Sequence, residues 1–149
     1  MHYLALLVMI GLLGCQTQLP MVQTILSGTT VRLDDGRTVQ YAGLESPAAG
    51  QPQADLSHDA NQYLVWNKSV QLVIEPQMSP GDPLVAYVYT PVIVGTETKY
   101  LFVNAELARF GFARVLPLQE HCTHPDLWRS LLDLQEQEAK PGKLGLWGR

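Results

Sequence analysis

The densest run of chemically capable side chains is His121-Cys122-Thr123-His124, with Asp126 two residues on. Imidazole, thiolate and carboxylate are the ligand types zinc takes. Adjacent residues rarely aim at one ion, and no second ligand pair lies elsewhere in the sequence. The run is therefore expected to be a polar loop ahead of a helix. His58 precedes or begins another helix and is expected at the surface. Arg32 and Arg37 flank one turn, and Arg109 and Arg114 flank Gly111. Charges scattered in this way are expected to be solvated or paired with Asp and Glu. There is no glycine-rich phosphate cradle, nucleophile elbow or Cys-x-x-Cys pair.

The elements that must position these residues belong to a chain of 149 residues, long enough for one domain. Apolar residues make up 46%, enough to bury a core. Two cysteines are too few for a disulfide scaffold. The net charge of −4 argues against a dedicated nucleic-acid binder, which carries a basic patch.

The charge is unevenly placed, because residues 1–31 contain no Lys, Arg, Asp or Glu. The apolar run before Cys15 is too short for a membrane span of about 20 residues and has the length of a signal-peptide core. Leu12-Leu13-Gly14-Cys15 resembles a bacterial lipobox, although the residues before it carry no Lys or Arg. The resemblance implies a signal peptide over 1–14, cleavage before Cys15 and lipidation of that cysteine, with 15–21 as a tether. The protein is then expected in the cell envelope, exported and lipid-anchored. An ordinary cleaved signal, giving a secreted or periplasmic protein, is the alternative. An unlipidated Cys15 could instead pair with Cys122 in an oxidising compartment.

Beyond residue 22 the pattern turns β-rich. Thr29 to Leu33 alternates polar and apolar residues, Asp34-Asp35-Gly36-Arg37 reads as a hairpin turn, and Thr38 to Leu44 returns as the partner strand. Ser46 to Gln53 reads as a loop. Ser57 is placed to cap a helix through Lys68, with Ala60, Leu64 and Tyr63 on its inner face. Val70–Glu75 and Leu84–Tyr89 read as strands, and a third, short strand ends at Phe102. Asn104–Phe110 and Pro125–Lys140 read as helices, the latter with Leu127, Leu131, Leu134 and Ala139 on one stripe. Trp66, Trp128 and Trp147 are expected to pack helices onto a sheet. About five strands and three helices predict an α+β fold, a small β-barrel with helices.

The order of Gly28-Thr29-Thr30-Val31-Arg32-Leu33, Gly43-Leu44-Glu45-Ser46-Pro47, Leu84 to Tyr89, Val103 to Val115 and Gly145-Leu146-Trp147-Gly148 resembles the thermonuclease, or staphylococcal-nuclease-like, family. The resemblance implies a domain over 22–149 with a five-stranded OB-fold barrel and three helices. It also implies calcium-dependent cleavage of phosphodiester bonds in DNA and RNA. In that chemistry carboxylates hold a hard cation, a Glu acts as general base and two Arg clamp the phosphate.

Read position by position, the catalytic set is degenerate. Thr29 stands where the family has a metal-binding Asp. Gln40 stands for one Arg, Glu45 for the other metal-binding Asp, and Ala48 for the base. Pro83 falls near the second Arg, with Asp82 or Leu84 there if the loop shifts. Glu45 alone keeps its charge. Catalysis is thus expected to be lost and no calcium is expected, leaving a binding or structural module for an unknown protein or small ligand, with nucleic acid doubtful. The pocket is expected to be lined by Thr29, Gln40, Glu45 and Tyr87. The alternative is a calcium-dependent endonuclease with acids supplied by Asp34, Asp35 or Asp82. A monomer is expected.

Overall fold

Three short strands wind up the first half of the molecule. The structure, a computed structural model, describes residues 18–148. Strands β1 (Val22–Ser27), β2 (Thr30–Leu33) and β3 (Thr38–Tyr41) form an antiparallel meander. The turn between β2 and β3 is the one the sequence predicts, with Gly36 at φ 89°. Alternation along β2 and β3 sends Val31, Leu33, Val39 and Tyr41 inward, each at most 1% exposed.

The predicted partner strand does not run through to Leu44. It stops at Tyr41, and Ala42-Gly43 turns the chain so that β4 (Leu44–Glu45) pairs instead with β8 (Arg114–Val115). Gly43 adopts φ 75°, and a side chain there would sit 3.2 Å from the Trp128 ring. Strand β6 (Leu84–Val94) is longer than predicted. It pairs in parallel with β3, antiparallel with β5 (Gln71–Ile74) and, along its second half, with β7 (Glu97–Phe102).

The result is a six-stranded sheet ordered β1-β2-β3-β6-β5, with β7 joined to β6. The α+β class and the OB-like arrangement hold, with six strands in the sheet rather than five and the sheet not closed into a barrel. Between the start of β1 and the segment before β5 lie the Met21–Ser69 bridge and the backbone bonds Val22 N–H to Lys68 O at 3.0 Å, Asn67 N–H to Val22 O at 3.0 Å and Val70 N–H to Pro20 O at 2.9 Å. These bonds stop at Val22, the first residue of β1, and do not continue as a ladder with β5, so the described strands do not close into a barrel.

Helices α1 (Ala54–Val65), α2 (Val103–Arg109) and α3 (Pro125–Leu134) cover it, with α3 continued by a wider turn over Gln135–Ala139. Trp128 and Leu131 of α3 are fully buried, and the Trp128 Nε1–H donates to Leu116 O at 2.9 Å. Of the other two tryptophans, Trp147 is half-buried under the Lys140 ammonium, while Trp66 is 55% exposed and packs no helix down.

Helix α1 departs from the prediction in both start and orientation. It begins at Ala54, and Ser57 is a buried interior residue whose hydroxyl donates to Phe112 O rather than a cap. The face turned to the sheet carries Ser57, Asn61 and Val65. Tyr63, expected inside, is 83% exposed. Buried hydrogen bonds explain the rotation: Asn61 accepts from Tyr41 Oη at 2.7 Å and donates to Ser27 O at 2.9 Å. Gly28 permits the close approach, since a Cβ there would lie 2.5 Å from Ser57 Cβ and 2.9 Å from Ser46 Cβ.

Candidate functional site

The turn after β1, strand β3 and the segment after β4 meet at the mouth of a cleft of about 580 Å³. Thr29, Gln40, Glu45 and Ala48 all line it, as do Thr30, Ser46, Asp55, His58, Met78, Val85, Leu116 and Trp128. The chain therefore gathers into one cavity four of the residues that sequence reasoning singled out.

Their chemistry is that of a neutral, self-satisfied network. Thr29 is buried, and its hydroxyl lies 3.2 Å from Ser46 Oγ. The Gln40 amide donates to Thr29 Oγ1 and to Leu44 O, each at 3.3 Å, and its oxygen accepts from Thr30 Oγ1 at 2.5 Å. Thr30 and Gln40 face each other across the β2–β3 ladder, which fixes that last bond. Glu45 points its carboxylate at Arg114, 2.5 Å away, because the β4–β8 pairing sets the two residues opposite each other. Arg114 also faces a smaller recess of about 320 Å³ with Leu146 and Trp147, so the ion pair forms the ridge between two cavities.

Two predicted site residues lie elsewhere. Tyr87 shares the Val85 face of β6 but sits two residues further along, fully buried. Its hydroxyl donates to Glu75 Oε1 at 2.9 Å, and its ring meets His124 and Phe102 edge-on. Burial and the Glu75 carboxylate both push its phenol above the usual tyrosine range. Pro83 is exposed outside the cleft, in a loop pinned by the Thr38 N–H to Asp82 Oδ1 bond at 2.9 Å.

The candidate compensating acids are committed too. Asp34 accepts from Met21 N–H at 3.1 Å, and Asp35 is paired with Arg37 at 2.7 Å, which holds its carboxyl below the usual range. None of Asp34, Asp35 and Asp82 lines the cleft. Calcium takes about six to eight oxygens. Two carboxylates, Glu45 held by a guanidinium and Asp55 on α1, beside hydroxyls bonded to one another, fall short of that need.

The His121–His124 run is a loop, and among the described residues no three His, Cys, Asp or Glu side chains are placed to hold a metal. The Thr123 and His124 N–H groups donate to the buried Glu75 carboxylate at 2.5 and 3.0 Å. Sequence reasoning missed Glu75, which it read as the end of a strand. The available signal was an acid closing the apolar run Val70–Ile74 directly before Pro76. It also missed Asp55 as a cleft residue. His58 was expected at the surface, and it is half-exposed at the cleft rim, 3.4 Å from Asp59 Oδ1. The remaining arginines follow expectation: Arg109 is paired with Glu106 and Glu138 at 3.0 and 2.9 Å, and Arg32 is exposed.

Fold and cleft together define a nuclease-type scaffold of helices on an OB-like sheet. The sequence profile described as staphylococcal nuclease homologue matches residues 31–149, and the chain belongs to that family. No curated protein matches it.

Proposed function

We propose that this family member is a binding module that has given up phosphodiester hydrolysis. The observation that carries the reading is the hydrogen-bonded set Thr29–Ser46–Gln40–Thr30, standing where the resemblance places a metal ligand and an Arg clamp. Removing one preorganised electrostatic donor costs about 10²–10³ in rate. Here both clamps and the base are replaced by Gln40, Pro83 and Ala48, and such losses, though not additive, leave little. The cleft offers hydroxyl and amide groups between apolar walls from Met78, Val85 and Leu116, suited to a small neutral ligand or a protein loop.

The address belongs to the same proposal. Cys15 is lipidated and holds the domain at the cell envelope, with 1–14 removed as a signal peptide. Residues 1–17 lie outside the described residues, as do the cysteine and its alternative pairing with Cys122. Among the described residues no helix is long and apolar enough to cross a membrane.

The test is cleavage of DNA and RNA by the purified chain with and without calcium. The expected result is no calcium-stimulated product. Stimulated cleavage abolished by Glu45→Ala overturns the reading in favour of a calcium-dependent endonuclease.

A further inference from the structure

Strand β7 leaves one edge of the sheet open. It pairs with β6 over Glu97–Phe102, and among the described residues no strand pairs with its other side. No backbone bond from another described segment reaches Glu97 to Tyr100. The N–H and C=O groups turned to that side are a template for one more strand. Nothing covers them, since Glu97, Thr98, Lys99 and Tyr100 are all exposed. Ile93 of β6, opposite Thr98, is 81% exposed, so this hairpin stands clear of the core.

The side chains on the edge select the occupant. Glu97 and Lys99 lie two residues apart and share one face of β7. Within the hairpin each is set opposite an apolar residue, Val94 and Val92, and neither belongs to an ion pair among the described residues. Charges on an edge keep strands off unless the incoming strand carries the complement. The same sequence run antiparallel carries it. About a two-fold axis normal to the sheet through Thr98, Glu97 falls opposite Lys99 of the second copy and Lys99 opposite its Glu97. Thr98 falls opposite Thr98, and each Tyr100 ring lies diagonal to the other Thr98 on the same face. Opposite charges and paired threonines are both favourable cross-strand neighbours. The adjacent two-fold registers fail, because an axis through Glu97 sets carboxylate against carboxylate and one through Lys99 sets ammonium against ammonium.

We propose that β7 is a homodimer edge, at which two copies join antiparallel into one continuous sheet. Such a contact is isologous, the same patch on both subunits, and closes at two. A strand of six residues is about 20 Å long and lies at the small end of specific interfaces, so the dimer is concentration-dependent. It is independent of the cleft and of Cys15.

Sedimentation equilibrium of the full chain carrying Cys15→Ser tests it. A reversible monomer–dimer equilibrium is expected. Glu97→Lys and Lys99→Glu each set like charges opposite one another twice, and each is expected to weaken the dimer at least about tenfold. An equimolar mixture of the two variants is expected to associate as the parent does, because every charge then meets its opposite. The double exchange in one chain is expected to restore the dimer as well. Both side chains are exposed, so the variants are expected to melt like the parent. Three results overturn the proposal: a monomer at every concentration, association unchanged by both single reversals, or a mixture that associates no better than either variant alone.

Discussion

Two carboxylates, Glu45 and Glu75, show how position decides the work of one residue type. Glu45 sits at the rim of the cleft, about half exposed, and its partner is the equally exposed Arg114. A surface pair of this kind is worth about 0–1 kcal/mol. Arg114→Ala is therefore expected to leave the urea midpoint almost unchanged, although it frees one of the two acids that line the cleft. Glu75 is fully buried and accepts three hydrogen bonds, from Tyr87 and from the Thr123 and His124 N–H groups. Removing it leaves the buried Tyr87 hydroxyl with only the His124 carbonyl at 3.3 Å and takes the acceptor from two partly buried N–H groups, so Glu75→Ala is expected to cost about 2–3 kcal/mol in urea unfolding. Glu75→Gln, which keeps an acceptor, is expected to cost less.

The buried phenols add a pH dependence. Burial raises the phenols of Tyr41 and Tyr87 above their usual value near 10. Each group then holds its proton more tightly folded than unfolded. Its contribution is present below about pH 10 and is lost as pH rises beyond it. Thermal melts taken from pH 8 upward are expected to fall above pH 10, and less steeply in Tyr87→Phe.

At the scale of elements, what the sequence made legible was periodicity. Alternation at Thr30–Leu33 and the Gly36 turn located the first hairpin, and the apolar Leu84–Tyr89 run located the strand that three others join. The rest depended on tertiary partners that no local pattern records. Helix α1 was placed on its apolar stripe, as amphipathicity directs. The buried bonds of Asn61 and Ser57 and the close fit at Gly28 turned it by about 100°, at 3.6 residues per turn, so that Ala60 and Leu64 still pack against the core in part while Tyr63 faces out. Gly28→Ala is expected to push α1 off the β1–β2 turn and cost about 1–3 kcal/mol, as overpacking does. Asn61→Leu, which keeps bulk but strands Tyr41 Oη, is expected to cost about 2 kcal/mol. Both are read from denaturant midpoints. Thr29, Gln40, Glu45 and Ala48 could be brought into one cleft only through the family resemblance. Tyr87 misled because strand alternation gives the face of β6 and not the loop that covers it.

At the scale of the molecule, a nuclease-family domain of net charge −4 carries a polar cleft without Lys or Arg in its lining and, elsewhere, an apolar groove along α1. The proposed lipid on Cys15 makes location testable apart from either surface. Cys15→Ser is expected to move the protein from the membrane to the soluble fraction, and unchanged partition contradicts the anchor.

The central claim is that the cleft no longer holds a catalytic cation, and calcium-dependent melting of the full chain tests it most directly. A site filled at a hundred times its dissociation constant stabilises the folded state by about 2.7 kcal/mol, which for a chain of this size raises the melting temperature by roughly 5–10 °C. With Glu45 held by Arg114 and Thr29 bonded to its neighbours, millimolar calcium is expected to leave the melting temperature unchanged. A rise of several degrees that disappears in Glu45→Ala would contradict the account.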